Sequence, residues 1–383
     1  MDFRLNENDI AMLELAREVG KKVVEPNAKI AEAGGHPVEA YEGLAEAGLV
    51  GMVVPEEYDG PGCTYLQLSL VMEELGKYSA AITEHLNMSN CNLILPILTF
   101  GTEEQKERWL PRIASGDAYC AFALTEPDAG SDNSAMATMA VKDGDDYLLT
   151  GHKCFISGAE YANLVMIFAV TSPAGAPKKE ITAFILERDE NTKGYTVGKA
   201  EETMGMNGAP ANDIFMDELR IPAANIVGGL GNGFKAAMCG LNPGRTALSS
   251  EAIGIAQKAI DLTVEYAKNR KMFGKTLAAF QNTQFVLAEC QTKIDAARLL
   301  VRNACVELDQ GNKGAAQLCS EAKWFATETA NEVVYKCMQL FGGYGYSKEY
   351  PLEQMYRDLR IYTIFEGATE VQKHTIARFM GLR

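Results

Sequence analysis

The sequence predicts an α+β protein, mostly α, in three consecutive parts: an N-terminal helical domain over residues 1–120, a middle antiparallel β domain over 121–230 and a C-terminal helical bundle over 231–383. Three observations carry this. In the first part apolar residues recur every three or four positions. In the second, short aliphatic and aromatic runs are separated by Asp-Gly, Ser-Pro and Gly-Ala clusters. The third consists of long amphipathic stretches, as in antiparallel bundles.

Taken in order, "NENDIAMLELAREVGKKVV" offers Asn6 and Asn8 as helix caps, with Ile10, Leu13, Ala16 and Val19 or Gly20 following at helical spacing. "PVEAYEGLAEAGLVG" and "YLQLSLVMEELGKYS" repeat the pattern. "TEEQKERWLPRIASG" reads as a capped helix broken at Pro111. From Cys120 onwards "YCAFAL", "YLLTGHKCFIS", "ANLVMIFAVT", "EITAFILER", "GYTVGKAE" and "NDIFMDELRI" read as strands. Helices do not alternate with them, so a Rossmann sheet is not expected. After Gly233 helices return, with residues 250–269, 281–310 and 315–341 each reading as one long element. There is no internal repeat.

With 47% hydrophobic and 23% charged residues in 383, the composition is that of an ordinary globular protein. A net charge of −15 argues against nucleic acid and against an anionic membrane surface, while allowing a partner protein with a basic face. No apolar stretch approaches the roughly 20 residues that span a bilayer. The start, "MDFRLNENDIAMLEL", lacks the basic and apolar regions of a signal peptide. Nine dispersed cysteines without a Cys-x-x-Cys pair read as reduced thiols, which places the protein in the cytoplasm. His36, His85, His152 and His374 are far apart in sequence, so neither a metal site nor a Ser-His-Asp triad is expected.

Several stretches are open to two readings. "VGGLGNGF" and "LFGGYGY" are glycine-rich but follow no strand of a βαβ unit; each reads as a phosphate loop or as a turn or cap. "LTEPDAGSDNSA" offers backbone N–H groups and hydroxyls to a polar ligand, or only connects two elements. "NRKMFGKTLAAFQ" concentrates Arg270, Lys271 and Lys275, which suits phosphate or a solvated helix end. In "IYTIFEGATEVQ", Glu366 stands between an apolar run and a glycine, as a base would, or as a surface or capping carboxylate.

Together these pieces resemble the acyl-CoA dehydrogenase family, of the short- or medium-chain type, over essentially the full length. "ALTEPDAGSD" is similar to the family's first signature and "GHKCFIS" to its flavin-facing strand. "NRKMFGK" with "FQ" is similar to its diphosphate-binding stretch, "QLFGGYGYSKEYPLEQMYRD" to its second signature, and "IFEGATEVQ" to its catalytic loop. The resemblance implies N-terminal helices, a middle β domain and a C-terminal four-helix bundle.

It also implies FAD as cofactor. Thr125 and Ser157 would bond the pyrimidine edge and N5 region, and Phe155 would lie against the ring system, where relatives often have Trp. Arg270, Phe273 and Gln281 would hold the diphosphate, and Gln339, Gly342 and Gly343 the adenosine end, across a subunit boundary. A homotetramer would follow. Ser131 would meet the CoA chain, Arg245 and Gly367 would border the substrate, and Glu366 would be the catalytic base. The implied reaction converts a fatty or related acyl-CoA to trans-2-enoyl-CoA and passes electrons to an electron-transferring flavoprotein.

Some relatives carry the base immediately before the arginine that matches Arg245. Here that position is Gly244, so Glu366 has no rival there. The chain departs from the family at Gln354, at Ala368, where a hydroxyl near the cofactor is lost, and at Glu370. "TEHLNMSNCNLILP" lacks the arginine of dicarboxylic-acyl relatives and is unusually polar, which suits a polar or small acyl tail or helix faces turned to solvent. The rival readings are an enoyl-CoA reductase working in reverse, an idle flavoprotein or scaffold of this fold, and an oxygen-using oxidase, whose chains are generally longer.

Overall fold

The computed structural model describes residues 4–382, apart from Ala174 and Lys178. The N-terminal layer holds α1 (Glu7–Val19), α2 (Glu25–Glu32), α3 (Val38–Glu46), α4 (Tyr65–Gly76), α5 (Ala80–Asn87), α6 (Ile94–Phe100) and α7 (Glu103–Ala114). Asn6 caps α1: its side chain accepts from the Asp9 N–H at 2.9 Å, and Asp9 accepts from the Asn6 N–H at 3.1 Å. Thr102 and Gln105 form the same box on α7. Pro111 does not break α7, contrary to the sequence expectation; Trp109, Leu110 and Ile113 are buried along the helix, and that packing outweighs the one backbone bond a proline forfeits. Wider π-type turns occupy Gly20–Val24 and Met88–Leu93, the second joining α5 to α6.

The middle layer is one sheet of β1 (Cys120–Ala123), β2 (Met139–Asp143), β3 (Asp146–Ser157), β4 (Leu164–Val170), β5 (Ile181–Glu187), β6 (Tyr195–Ala200), β7 (Ala211–Pro222) and β8 (Ile226–Val227). The order is β6-β7-β3-β2-β4-β5-β8, with β1 also paired to β4. Pairing is predominantly antiparallel, but β1 and β2 run parallel to β4. All seven residues of β4 are buried, as its unbroken apolar run requires.

α8 (Gly233–Asn269) starts well before residue 250 and runs through Pro243. The hairpin β9 (Lys271–Met272) and β10 (Lys275–Thr276) follows, then α9 (Gln281–Asp309), α10 (Ala315–Phe341), α11 (Leu352–Leu359) and α12 (Thr369–Phe379). α8, α9 and α10 pack on one another, α12 packs on α10, and α4 packs on α8, which joins the bundle to the N-terminal layer. The nine cysteines are free, and no helix among the described residues is long and apolar enough to cross a membrane.

Candidate active site

The segment from Ile361 to Ala368 is wedged between the bundle and the α5–α6 junction. Glu366 has φ +50° and Gly367 φ +92°, so two consecutive residues lie in the left-handed region. For a side chain as large as Glu this is uncommon and persists only when the surroundings enforce it. They do. The buried Lys323 ammonium donates to the carbonyls of Phe365 at 2.9 Å and Gly367 at 2.8 Å. Gln372 Nε2 donates to the carbonyls of Gly367 at 2.8 Å and Glu366 at 3.3 Å, and Arg245 Nε donates to the Glu366 carbonyl at 3.4 Å. Arg245 is 5% exposed and also donates to Asn242 Oδ1, so it secures the loop backbone.

The Glu366 carboxylate is held unevenly. Oε1 accepts from Asn87 Nδ2 at 2.9 Å and from Asn92 Nδ2 at 3.1 Å. Oε2 is buried and has no partner. It lies against Gly244, where an added Cβ would stand 2.7 Å from it. The Glu366 N–H likewise finds no acceptor among the described residues. Burial pushes the Glu366 carboxyl above the usual range, against the pull of the two Asn amides, Arg245 and Lys323. Burial also lowers the Lys323 ammonium to about 8.

Asn87 and Asn92 reach the same oxygen because of the π-type turn between them. Five residues apart on an α-helix they would diverge; an i→i+5 turn brings them onto one face. Two further carboxyls sit behind. Glu84 Oε1 accepts from the same Asn87 Nδ2 at 3.2 Å. Burial and the Glu366 charge push Glu84 well above the carboxylate range, and burial with the Glu84 charge does the same to Glu251, beside Tyr362.

The face opposite comes from the sheet. The Thr125 carbonyl accepts from the Cys154 N–H at 3.0 Å, which ties the "TEPDAGSD" loop to the end of β3 beside Phe155 and Ser157. Glu126 anchors the loop, accepting from the N–H groups of Ala137 at 2.6 Å and Thr138 at 3.0 Å and from Lys153 Nζ at 2.8 Å. Lys153 is fully buried, and burial lowers its ammonium to about 8. Burial opposes the Glu126 charge, yet Lys153 and these N–H groups hold its carboxyl below the usual range. Ser157 and Glu84 line one small cavity, so the sheet face and the carboxylate group adjoin. Ser131 is exposed on the loop.

A second group collects elsewhere. Arg270, Phe273, Gln339, Gly342 and Gly343 line an open cleft of about 780 Å³. Gln281 is not in its wall, although Phe280 and Asn282 on either side are. The Arg270 guanidinium lies 5.8 Å from the centre of the Tyr344 ring. Nothing lies within 4 Å of a Cβ added at Gly342 or Gly343, so packing within this chain does not demand glycine at either place. Arg245 and Arg270 are on one helix, roughly 37 Å apart by the helical rise. Phe155 (φ +54°), Phe273 (φ +48°) and Glu366 share the left-handed backbone strain that clusters at functional positions.

The sequence did not single out Glu84, Asn87, Asn92, Lys323, Gln372 or the Lys153–Glu126 pair. The polarity of "TEHLNMSNCNLILP" was the available signal for the first three. Its solvent-facing reading fails: His85, Asn87, Ser89, Asn90 and Asn92 are all buried. Ser89 and Asn90 are spent on the backbone of Val50, Leu49 and Val53. Ala368 is the N-cap of α12, and that cap has no side-chain hydrogen bond.

Known proteins resemble this chain over nearly all of its length. Family profiles for the acyl-CoA dehydrogenase N-terminal, middle and C-terminal domains match residues 6–117, 121–219 and 231–381. The 3-(aryl)acrylate reductase of Clostridium sporogenes is 42% identical over 95% of this chain and 96% of its own. The acryloyl-CoA reductase (NADH) of Anaerotignum propionicum is 41% identical over 99% of this chain and 95% of its own. The structure of butyryl-CoA dehydrogenase from Megasphaera elsdenii superposes with a TM-score of 0.95 at 37% identity, covering 99% of this chain and all of the other.

Proposed function

Since this chain belongs to the acyl-CoA dehydrogenase family, a family of oxidoreductases, we propose that it converts an acyl-CoA to its trans-2-enoyl-CoA with FAD, and that Glu366 is the group that takes the α-proton. The observation that carries this is Glu366 Oε2: a buried carboxylate oxygen, without a hydrogen-bond partner, on a side chain that burial makes more basic. A thioester α-hydrogen is a weak acid, and a desolvated base of raised pKa is what its removal requires. The partnered Oε1 fixes the carboxylate plane, and Oε2 is left to accept the proton. The free N–H of Glu366 is available to the thioester oxygen, where negative charge grows as the proton leaves. Lys323, Arg245 and Gln372 hold that N–H and the carboxylate in one orientation.

The residues present fit FAD. Thr125, Phe155 and Ser157 would hold the ring system opposite Glu366, and Arg270, Phe273, Gln339, Gly342 and Gly343 the diphosphate and adenosine, with backbone approach at the glycines that packing leaves open. FAD, when bound, supplies the two-electron acceptor for the β-hydrogen, which leaves as hydride. Because the two groups lie at opposite ends of α8, one cofactor needs both from different chains, which supports a homo-oligomer, a tetramer as the resemblance implies. We place the enzyme in the cytoplasm, with an electron-transferring flavoprotein as its redox partner.

The relatives named as reductases favour a second reading, in which the same site runs in reverse and Glu366 returns a proton to the α-carbon of an enoyl-CoA. The purified protein should be yellow. Anaerobic bleaching by butyryl-CoA supports dehydrogenation. Recovery of colour in the reduced protein on adding enoyl-CoA, much faster than bleaching by the saturated thioester, supports reduction. A colourless protein contradicts both.

A further inference from the structure

Two side-chain amides converge on the Glu366 carboxylate. Asn87, the last residue of α5, and Asn92, in the π-type turn that follows, are 0% and 2% exposed. Each amide uses both of its hydrogens. Asn87 Nδ2 donates to Glu366 Oε1 at 2.9 Å and to Glu84 Oε1 at 3.2 Å. Asn92 Nδ2 donates to Glu366 Oε1 at 3.1 Å and to Met88 Sδ at 3.8 Å. The two amide oxygens, by contrast, are buried without a partner, which is costly for an acceptor out of reach of water. Turned over, each amide would bring that oxygen against Glu366 Oε1 and repel a carboxylate. The pair is therefore arranged for the anion, with two donors on one oxygen while two acceptors go unused.

The charged neighbours of the base act less directly. Arg245 and Glu251 face it from α8, Lys323 from α10, Glu84 from α5 and Cys91 from the turn itself, while α12 brings the neutral Gln372 and, near Lys323, Glu370. The bonds of Arg245 and Lys323 go to the carbonyls of the loop. Burial pushes the Glu366 carboxyl up, and the two amides pull it down more than Arg245 and Lys323 do. A hydrogen bond to the charged form of an acid favours that form, so the amides limit how basic burial makes this group.

We propose that Asn87 and Asn92 are positioning residues for Glu366: their amides bind Oε1 of the anion, set how readily the carboxylate takes up a proton, and direct that proton to Oε2. This rests on the acyl-CoA reading above. Removing either donor destabilises the anion, so Glu366 then takes up its proton at higher pH.

The test titrates the oxidised holoenzyme, without substrate, by infrared difference spectroscopy, taking as the Glu366 signal the carboxyl band that Glu366→Gln loses. Asn87→Leu and Asn92→Leu keep the volume and remove the donor, and each should move the midpoint up by about one to two pH units. Anaerobic bleaching by butyryl-CoA is then followed against pH. The rate falls on the acid side as Glu366 becomes protonated, so that limb should move up by the same amount. A purely structural role would lower the rate at every pH and leave both midpoints in place. Asn87→Ser and Asn92→Ser, which retain a shorter donor, should shift the midpoint less and serve if the leucine variants do not fold. Midpoints unchanged in the variants, with the wild type still bleached by butyryl-CoA, overturn the proposal and leave the acyl-CoA reading standing. If butyryl-CoA does not bleach the oxidised wild type and crotonyl-CoA does not reoxidise the reduced one, that reading falls and this one with it.

Discussion

The two ends of α8 are built to opposite rules. Around Arg245 polar groups are buried deeply: Glu84, Asn87, Asn92, Glu251, Arg245 and Lys323 are each at most 8% exposed. Around Arg270 the cation is exposed, Phe273 is 88% exposed and Tyr346 86%, and the glycines face open space. A proton-transfer site must be dry, because water would stabilise the carboxylate and take away its basicity. A site for the charged half of a cofactor shared between chains has to stay open until the second chain and the ligand close it. On the function proposed above, the closed end is finished within one chain and the open end is completed by a second.

The largest expected effect breaks the closed end. Glu366→Gln keeps the shape but removes the acceptor, and the loss of a positioned base costs about 10²–10⁴ in rate. Stopped-flow bleaching by acyl-CoA should show it, while the flavin is retained. Next comes the open end. Arg270→Ala should weaken FAD retention by about 1.5–3 kcal/mol, the usual scale for a hydrogen bond to a charged group. Flavin content after extensive dialysis measures this, and bleaching per bound flavin should not change.

A smaller effect sharpens the electrostatic contrast. Burial and Glu84 raise the Glu251 carboxyl above the ordinary glutamate value of about 4.5, so the folded state keeps a proton that the unfolded chain releases near that pH. The stability this group contributes is present at low pH and is lost as pH rises above about 4.5. Glu251→Gln should therefore raise the melting temperature relative to wild type more at pH 8 than at pH 5. The smallest effect lies between the two ends. Ala368→Thr supplies the missing cap on α12 and should add about 1 kcal/mol in chemical denaturation.

What could be read from the sequence divides along a related line. Glu366, Arg270, Ser157 and Gly343 sit in short contiguous motifs whose chemistry is local, and these were legible. Asn87 and Asn92 were not, because their convergence depends on a π-type turn, and a search for 3.6-residue periodicity passes over it. Lys153 and Glu126 stand in separate motifs and are joined only by the path of β3; nothing in a lysine's neighbours announces that it will be fully buried. Pro111 misled because a local rule was outweighed by packing. The three-part order was legible because it rests on pattern summed over many residues, where single exceptions average out.

The central claim is that a carboxylate oxygen at one point in space, rather than residue 366 as such, moves the α-proton. Gly244 faces that point from α8. The double variant Gly244→Glu with Glu366→Gly carries the carboxylate to the same place from the other side. Measured by anaerobic bleaching against Glu366→Gly alone, the double variant should recover part of the lost rate, with the acyl-chain preference shifted. Bleaching no faster than Glu366→Gly, with acyl-CoA still perturbing the flavin spectrum, would contradict the account.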